Sequence, residues 1–123
     1  MAWNLDSDRP IYTQILEEIQ IRIITGQYKS GERIPSVREL AAQAGVNPNT
    51  MQKALTELER SGIVMSQRTS GRIVTEDLEM LRQTRNKLAY DQINAFIERM
   101  KKLGFDKEEV MALLKQAEGE KNE

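Results

Sequence analysis

The chain has 123 residues, with 18 Lys/Arg against 19 Asp/Glu, and it contains neither cysteine nor histidine. This length fits one small domain, or one domain with an appendage. The two missing residue types exclude disulfides, thiolate zinc sites and histidine base catalysis. No apolar run approaches the roughly 18 residues that span a bilayer, and the N-terminus lacks the features of a signal peptide. We therefore expect a cytoplasmic protein with no metal site and no membrane partner.

The first predicted element is a helix from Pro10 to about Thr25. Ile11, Ile15 and Ile19 recur at helical spacing, which indicates one apolar face. Gly26 follows directly, and glycine at this place is a typical helix end. The sequence therefore predicts an amphipathic first helix that stops near Gly26.

Two shorter helical patterns follow and are joined by a tight turn. The first runs from Ser36 to Gln43, and Ser36 with Glu39 has the Ser-x-x-Glu spacing of a capping box. Gly45 breaks this pattern, and the second runs from Pro48 to Arg60. A helix-turn-helix has this arrangement, and its second helix enters the DNA major groove.

The start of the second helix carries the clearest chemical signal. Asn47 is a good N-cap and Pro48 suits the first helical position, while Asn49 and Thr50 complete the first turn. Short, neutral hydrogen-bonding side chains at a positive helix end can meet a phosphate and base edges together. Asn47 and Thr50 are equally suitable as capping residues in the absence of DNA.

A β-hairpin is predicted after this helix. Ile63 to Met65 forms a short apolar strand, Gln67 to Gly71 a polar turn, and Arg72 to Thr75 a second strand. A hairpin that follows a helix-turn-helix is typical of a winged helix, whose tip can touch the DNA backbone or minor groove. The wing residues predicted to do so are Arg68, Thr69, Ser70 and Arg72, although arginines there also fit ordinary edge-strand charges.

From Glu76 the pattern changes to two helices. Asp77 to Leu103 has neither proline nor glycine, and Asp106 can cap a last helix. Two such helices cannot bury their apolar sides alone, so they must pack on the winged helix, on each other or on a second subunit. We expect a two-fold dimer that uses the long helix, through Leu81, Leu88, Phe96, Ile97 and Met100.

These elements predict a mainly helical α+β fold with two domains. Residues 1–75 would form the winged helix-turn-helix, and residues 76–123 a C-terminal dimerisation region. The formal net charge of the whole chain is −1, yet residues 28–75 carry seven Lys/Arg and four Asp/Glu, a net of +3. DNA binding needs a basic face rather than a basic protein, so the charge distribution is consistent with a DNA partner.

Four segments resemble the GntR family of bacterial transcription regulators. They are Pro10–Ile15, Gly31–Ala41, Gly45–Thr50 and the wing end Gly71–Val74, where the family usually has Gly-Thr-Phe-Val. The short region from Glu76 to Glu123 is similar to the YtrA subfamily, because it cannot hold the larger effector domain of other branches. The resemblance implies a homodimer that binds an inverted-repeat operator on double-stranded DNA, usually as a repressor, and often at genes for an ATP-driven transporter.

The resemblance also implies which residues contact DNA. They are Arg38 early in the first short helix, then Asn47, Asn49, Thr50, Gln52 and Lys53 in the recognition helix, and Gly71 in the wing. Two departures stand out. Gln52 occupies a position where many members have arginine, and Thr69 stands where a wing glycine is common.

A second hypothesis is a winged helix that serves only as a protein-interaction module. The Asn-Pro-Asn-Thr helix start and the basic wing favour DNA binding over this alternative. An enzyme is not expected, since no paired carboxylates stand in an apolar setting and no phosphate-cradling glycine loop is present. The residues identify no cofactor and no small-molecule effector.

Overall fold

The computed structural model describes residues 3–69 and 71–121. The described elements are α1 (Ile11–Ile24), α2 (Val37–Ala44), α3 (Pro48–Ser61), β1 (Val64–Gln67), β2 (Gly71–Val74), α4 (Leu78–Lys102) and α5 (Lys107–Lys121). The predicted order of elements is confirmed, with small shifts at the ends of the helices and strands.

The chain divides into two compact units, one that ends at Arg85 and one that begins at Asn86. The first unit contains α1 to β2 and the first turns of α4. Those turns lie in it because Leu81 packs against its core and the Met80 side chain lies against Gly62. Helix α4 therefore begins in the first unit and ends in the second.

The core of the first unit lies between α1, α2, α3 and the hairpin. Each helix contributes the apolar face that its periodicity indicates, and α3 packs on both α1 and α2. The largest fully buried side chains are Ile15, Ile19, Leu40, Met51, Leu55, Leu58, Ile63, Val64 and Val74. This core fixes the outward faces of α2 and α3 relative to each other.

The hairpin is antiparallel, with Val64 opposite Val74 and Ser66 opposite Arg72. An isolated two-stranded hairpin is marginally stable in water. Here the segment before α2 is hydrogen-bonded to the edge of β2 that does not pair with β1, since the Ile34 N–H donates to the Arg72 carbonyl at 2.9 Å. The first unit is thus a winged helix-turn-helix, and the predicted mainly helical fold with one hairpin is confirmed.

The second unit pairs the end of α4 with α5. Gly104, at φ +92, ends α4. Asp106 and Glu109 then form a reciprocal capping box, in which the Glu109 N–H donates to Asp106 Oδ1 at 2.8 Å and the Asp106 N–H donates to Glu109 Oε1 at 3.1 Å. Of the helices in the described part of the chain, none is long and apolar enough to cross a membrane.

Candidate nucleic-acid interface

The start of α3 is built as the sequence predicts. The Asn47 side chain accepts a hydrogen bond from the Asn49 N–H at 2.8 Å, and Pro48 occupies the first turn. Asn47 is therefore the N-cap, and both Asn47 and Asn49 are exposed. The cap orients the first turn of α3. The backbone N–H groups of Asn49 and Thr50 both donate to Asn47, so the polar surface here consists of exposed side chains.

The two faces of α3 differ sharply. Met51, Ala54, Leu55 and Leu58 are buried, whereas Gln52 and Lys53 are exposed on the outer face and Thr50 is half-buried. The Gln52 amide donates to Thr56 Oγ1 at 3.3 Å, and Lys53 Nζ lies 5.7 Å from the centre of the Tyr12 ring. The outer face thus combines amide, hydroxyl and ammonium groups.

The start of α2 lies beside the wing. The capping box is present, since the Glu39 N–H donates to Ser36 Oγ at 3.2 Å and the Ser36 N–H donates to Glu39 Oε1 at 3.0 Å. The hydrogen bond from the Ser36 backbone lowers the pKa of the Glu39 carboxyl. The Glu39 carboxylate is therefore bonded to the backbone at the start of α2, and the side chain of the neighbouring Arg38 is exposed.

A cleft of about 370 Å³ separates the start of α2 from β2, and its lining includes Arg33, Arg38 and Arg72. We call it the arginine cleft. The sequence did not single out Arg33 as a site residue. Arg33 is exposed and forms an isolated antiparallel β-bridge with Ile73 of β2. Its position could have indicated a role, because Arg33 lies in the segment of net charge +3 and directly before the turn into α2. The lining also includes the carboxylate of Glu39, so the cleft combines three guanidinium groups with one acidic group.

The predicted wing residues do not share one environment. Arg68 and Thr69 are exposed at the tip, and Ser70 lies outside the described residues. Gly71 has φ +75, a left-handed conformation that favours glycine. Arg72 is half-buried and forms an ion pair with Glu59 near the end of α3.

The predicted dimerisation residues are likewise divided. Leu81 packs on the core of the first unit. Phe96 and Ile97 line an apolar groove of about 470 Å³ between α4 and α5, together with Val110 and other residues of the second unit. Leu88 and Met100 are half-exposed. Large apolar side chains of α4, α5 and the turn between them are exposed nearby: Tyr90, Ile93, Leu103, Met111, Leu113 and Leu114.

Comparison with known proteins assigns the family. Residues 11–74 match the family described as bacterial regulatory proteins, gntR family. The HTH-type transcriptional regulator YhcF of Bacillus subtilis is 39% identical over 112 residues, which are 91% of this chain and 93% of YhcF. The HTH-type transcriptional repressor YtrA of the same organism is 44% identical over 71 residues, 58% of this chain and 55% of YtrA.

Solved structures agree. A GntR family transcriptional regulator from Listeria monocytogenes superposes with a TM-score of 0.81 at 41% identity, over 91% of this chain and 98% of that chain. The DNA-binding domain of AraR in complex with operator ORX1 gives a TM-score of 0.52 at 32% identity, over 61% of this chain and 92% of that chain. This chain belongs to the GntR family of bacterial regulatory proteins, whose members are DNA-binding transcriptional regulators rather than enzymes.

Proposed function

We propose that this protein is a homodimeric repressor that binds an inverted-repeat operator. The observation that carries the proposal is the polar outer face of α3, which lies in one compact unit with the arginine cleft and the wing. Residues 1–75 would bind DNA, and residues 76–123 would hold two copies together. The similarity to relatives named as repressors supports the direction of regulation.

The side chains divide into two roles at the DNA. Arg38, Lys53 and Arg68 are exposed cations, suited to phosphates, which fix position without reading sequence. Asn49 and Gln52 are exposed amides, and such amides pair in bidentate fashion with adenine in the major groove. Arginine prefers guanine, so Gln52 favours adenine at a base where relatives with arginine there favour guanine.

Exposed apolar surface in the second unit supports the dimer. Leu103 is 71% exposed, Tyr90 68% and Met111 57%. A stable dimer interface buries about 800 Å² on each partner, and large exposed apolar patches on a protein surface commonly mark interaction sites. Light scattering at micromolar concentration should therefore give twice the chain mass, and a monomer would contradict the proposal.

Selection from a random-sequence duplex library tests the operator directly. The enriched sequences should contain an inverted repeat, because the operator of a two-fold dimer mirrors the symmetry of the protein. Binding should also weaken steeply with added salt, as phosphate contacts release counterions. Absence of any enrichment or of any salt dependence would favour the protein-interaction module instead.

The target genes form the last part of the proposal. The short C-terminal region resembles the YtrA subfamily, and that resemblance, which implies genes for an ATP-driven transporter as frequent targets, supports control of such genes. Deletion of the gene should raise the transcripts of such a transporter, and the enriched inverted repeat should occur in its promoter. Unchanged transcripts across all transporter genes would contradict this assignment.

A further inference from the structure

One carboxylate joins the recognition helix to the wing. Glu59, in the last turn of α3, accepts a hydrogen bond from Ser66 Oγ at 2.8 Å. The same oxygen accepts from Arg72 Nε, which makes an ion pair. The side chains of Glu59 and Arg72 are only 30% and 18% exposed. We call these three residues the wing clamp.

The register of the hairpin explains why Arg72 faces α3. Ser66 and Arg72 are directly opposite each other, and so are Val64 and Val74 one pleat repeat away. Residues two apart in a strand share a face, and the two valines are buried in the core. Arg72 therefore extends from the inner face of the wing towards the helix rather than from the outer one.

The charges within the wing clamp compensate each other. The hydrogen bond from Ser66, and then the contact with Arg72, lower the pKa of the Glu59 carboxyl, so Glu59 is ionised at neutral pH. An unpaired carboxylate beside DNA phosphates would repel them. The pair as a whole adds no net charge at the interface, in contrast to the exposed Arg68 at the wing tip.

We propose that Glu59 is a positioning residue, which holds the wing at a fixed place beside the recognition helix through Arg72 and Ser66. This inference rests on the proposed operator binding and assigns Arg72 to the wing clamp instead of to a phosphate. A wing held in one place contacts DNA only when α3 is in its specific register. The clamp therefore increases discrimination between operator and other DNA rather than general affinity.

The test compares Glu59→Gln, Arg72→Gln and the double variant. The probes are a duplex enriched by the protein from a random library and a scrambled duplex of equal length. All three variants should lower the ratio of enriched to scrambled affinity by about fivefold, the scale of a partly exposed ion pair. Glu59→Gln should also bind scrambled DNA at least as tightly as the parent, since an acidic group is removed.

The double variant gives the decisive reading, because the net charge of the pair is unchanged. Its salt slope should equal that of the parent, whereas the control Arg68→Gln should lose about 0.9 of slope if Arg68 meets one phosphate. Ser66→Ala removes only a hydroxyl from the wing clamp and should give a smaller loss of discrimination in a folded protein. Thermal unfolding of each variant confirms that binding is measured on folded chains.

Two results would overturn the role of Glu59. The first is a double variant and a Ser66→Ala variant that both discriminate like the parent. The second is a double variant whose salt slope falls by as much as that of a variant that removes a phosphate-contacting charge. Such a loss would mean that Arg72 itself contacts DNA. A parent that prefers no duplex would instead overturn the proposed operator binding.

Discussion

Replacement of Asn47 separates helix capping from DNA binding. Its side chain makes the 2.8 Å hydrogen bond that caps α3, and loss of such a cap costs about 0.5–2 kcal/mol. Asn47→Ala should therefore lower the free energy of unfolding by about 1 kcal/mol, which corresponds to roughly 4–8 °C of melting temperature in a domain of this size. Urea unfolding followed by circular dichroism measures the change.

Asn47→Asp is the matched variant, since aspartate caps a helix as well as asparagine does. Its free energy of unfolding should stay within about 0.5 kcal/mol of the parent value. The added negative charge at the exposed start of α3 should weaken binding to every duplex by at least fivefold, because like charges about 4 Å apart cost about 1 kcal/mol even in water. An Asn47→Asp protein that binds DNA like the parent would refute the placement of this helix end at the phosphates.

The remaining predictions concern the cleft, the core, the dimer and pH. Arg38→Ala should weaken binding to all duplexes and reduce the salt slope by about one if Arg38 meets a phosphate; an unchanged affinity in a gel-shift titration would remove it from the site. Leu55→Ala removes a fully buried side chain and should cost about 2–5 kcal/mol in urea unfolding; a smaller loss would contradict the packing. Phe96→Glu should convert the proposed dimer to a monomer in light scattering, and a persistent dimer would place the interface elsewhere. The pKa of Glu59 is lower in the folded protein than in the unfolded chain, so the ionised Glu59 stabilises the fold. This contribution to the free energy of unfolding should be complete above the unfolded pKa of about 4.3 and lost as pH falls through the lower folded pKa. Glu59→Gln should remove this part of the pH dependence of stability in acid.

Local patterns predict the first unit well because its helices follow simple rules. The Ser36 and Asn47 caps both form as expected, since each depends only on residues a few positions away. The buried face of α3 likewise follows from helical periodicity. Few folds with this order of helices, turn and hairpin bury the apolar faces of all the helices, and the winged helix is one of them.

Contacts between distant elements could not be predicted in the same way. Arg72 remains a predicted DNA contact, and the sequence does not predict its pairing with Glu59, thirteen residues earlier in the chain. The strand alternation relative to the buried Val74 would have indicated its inward side. Arg33 joins the arginine cleft only because its segment bridges to Ile73 in β2, a pairing that no local pattern indicates.

The second unit is the least determined by local sequence. Leu81 belongs to the long apolar pattern of α4, yet it packs on the first core, whereas Phe96 and Ile97 line the groove with α5. Helical spacing places all three on an apolar side without saying which neighbour covers each one. Only the tertiary packing assigns Leu81 to the first unit.

A footprint of the protein on its enriched duplex tests the central claim most directly. A two-fold dimer that inserts α3 into the major groove should protect two symmetric patches on one face of the duplex, separated by whole helical turns of about 10 bp each. Protection of the two patches should appear at the same protein concentration. A single asymmetric patch, or uniform protection along the duplex, would contradict the account.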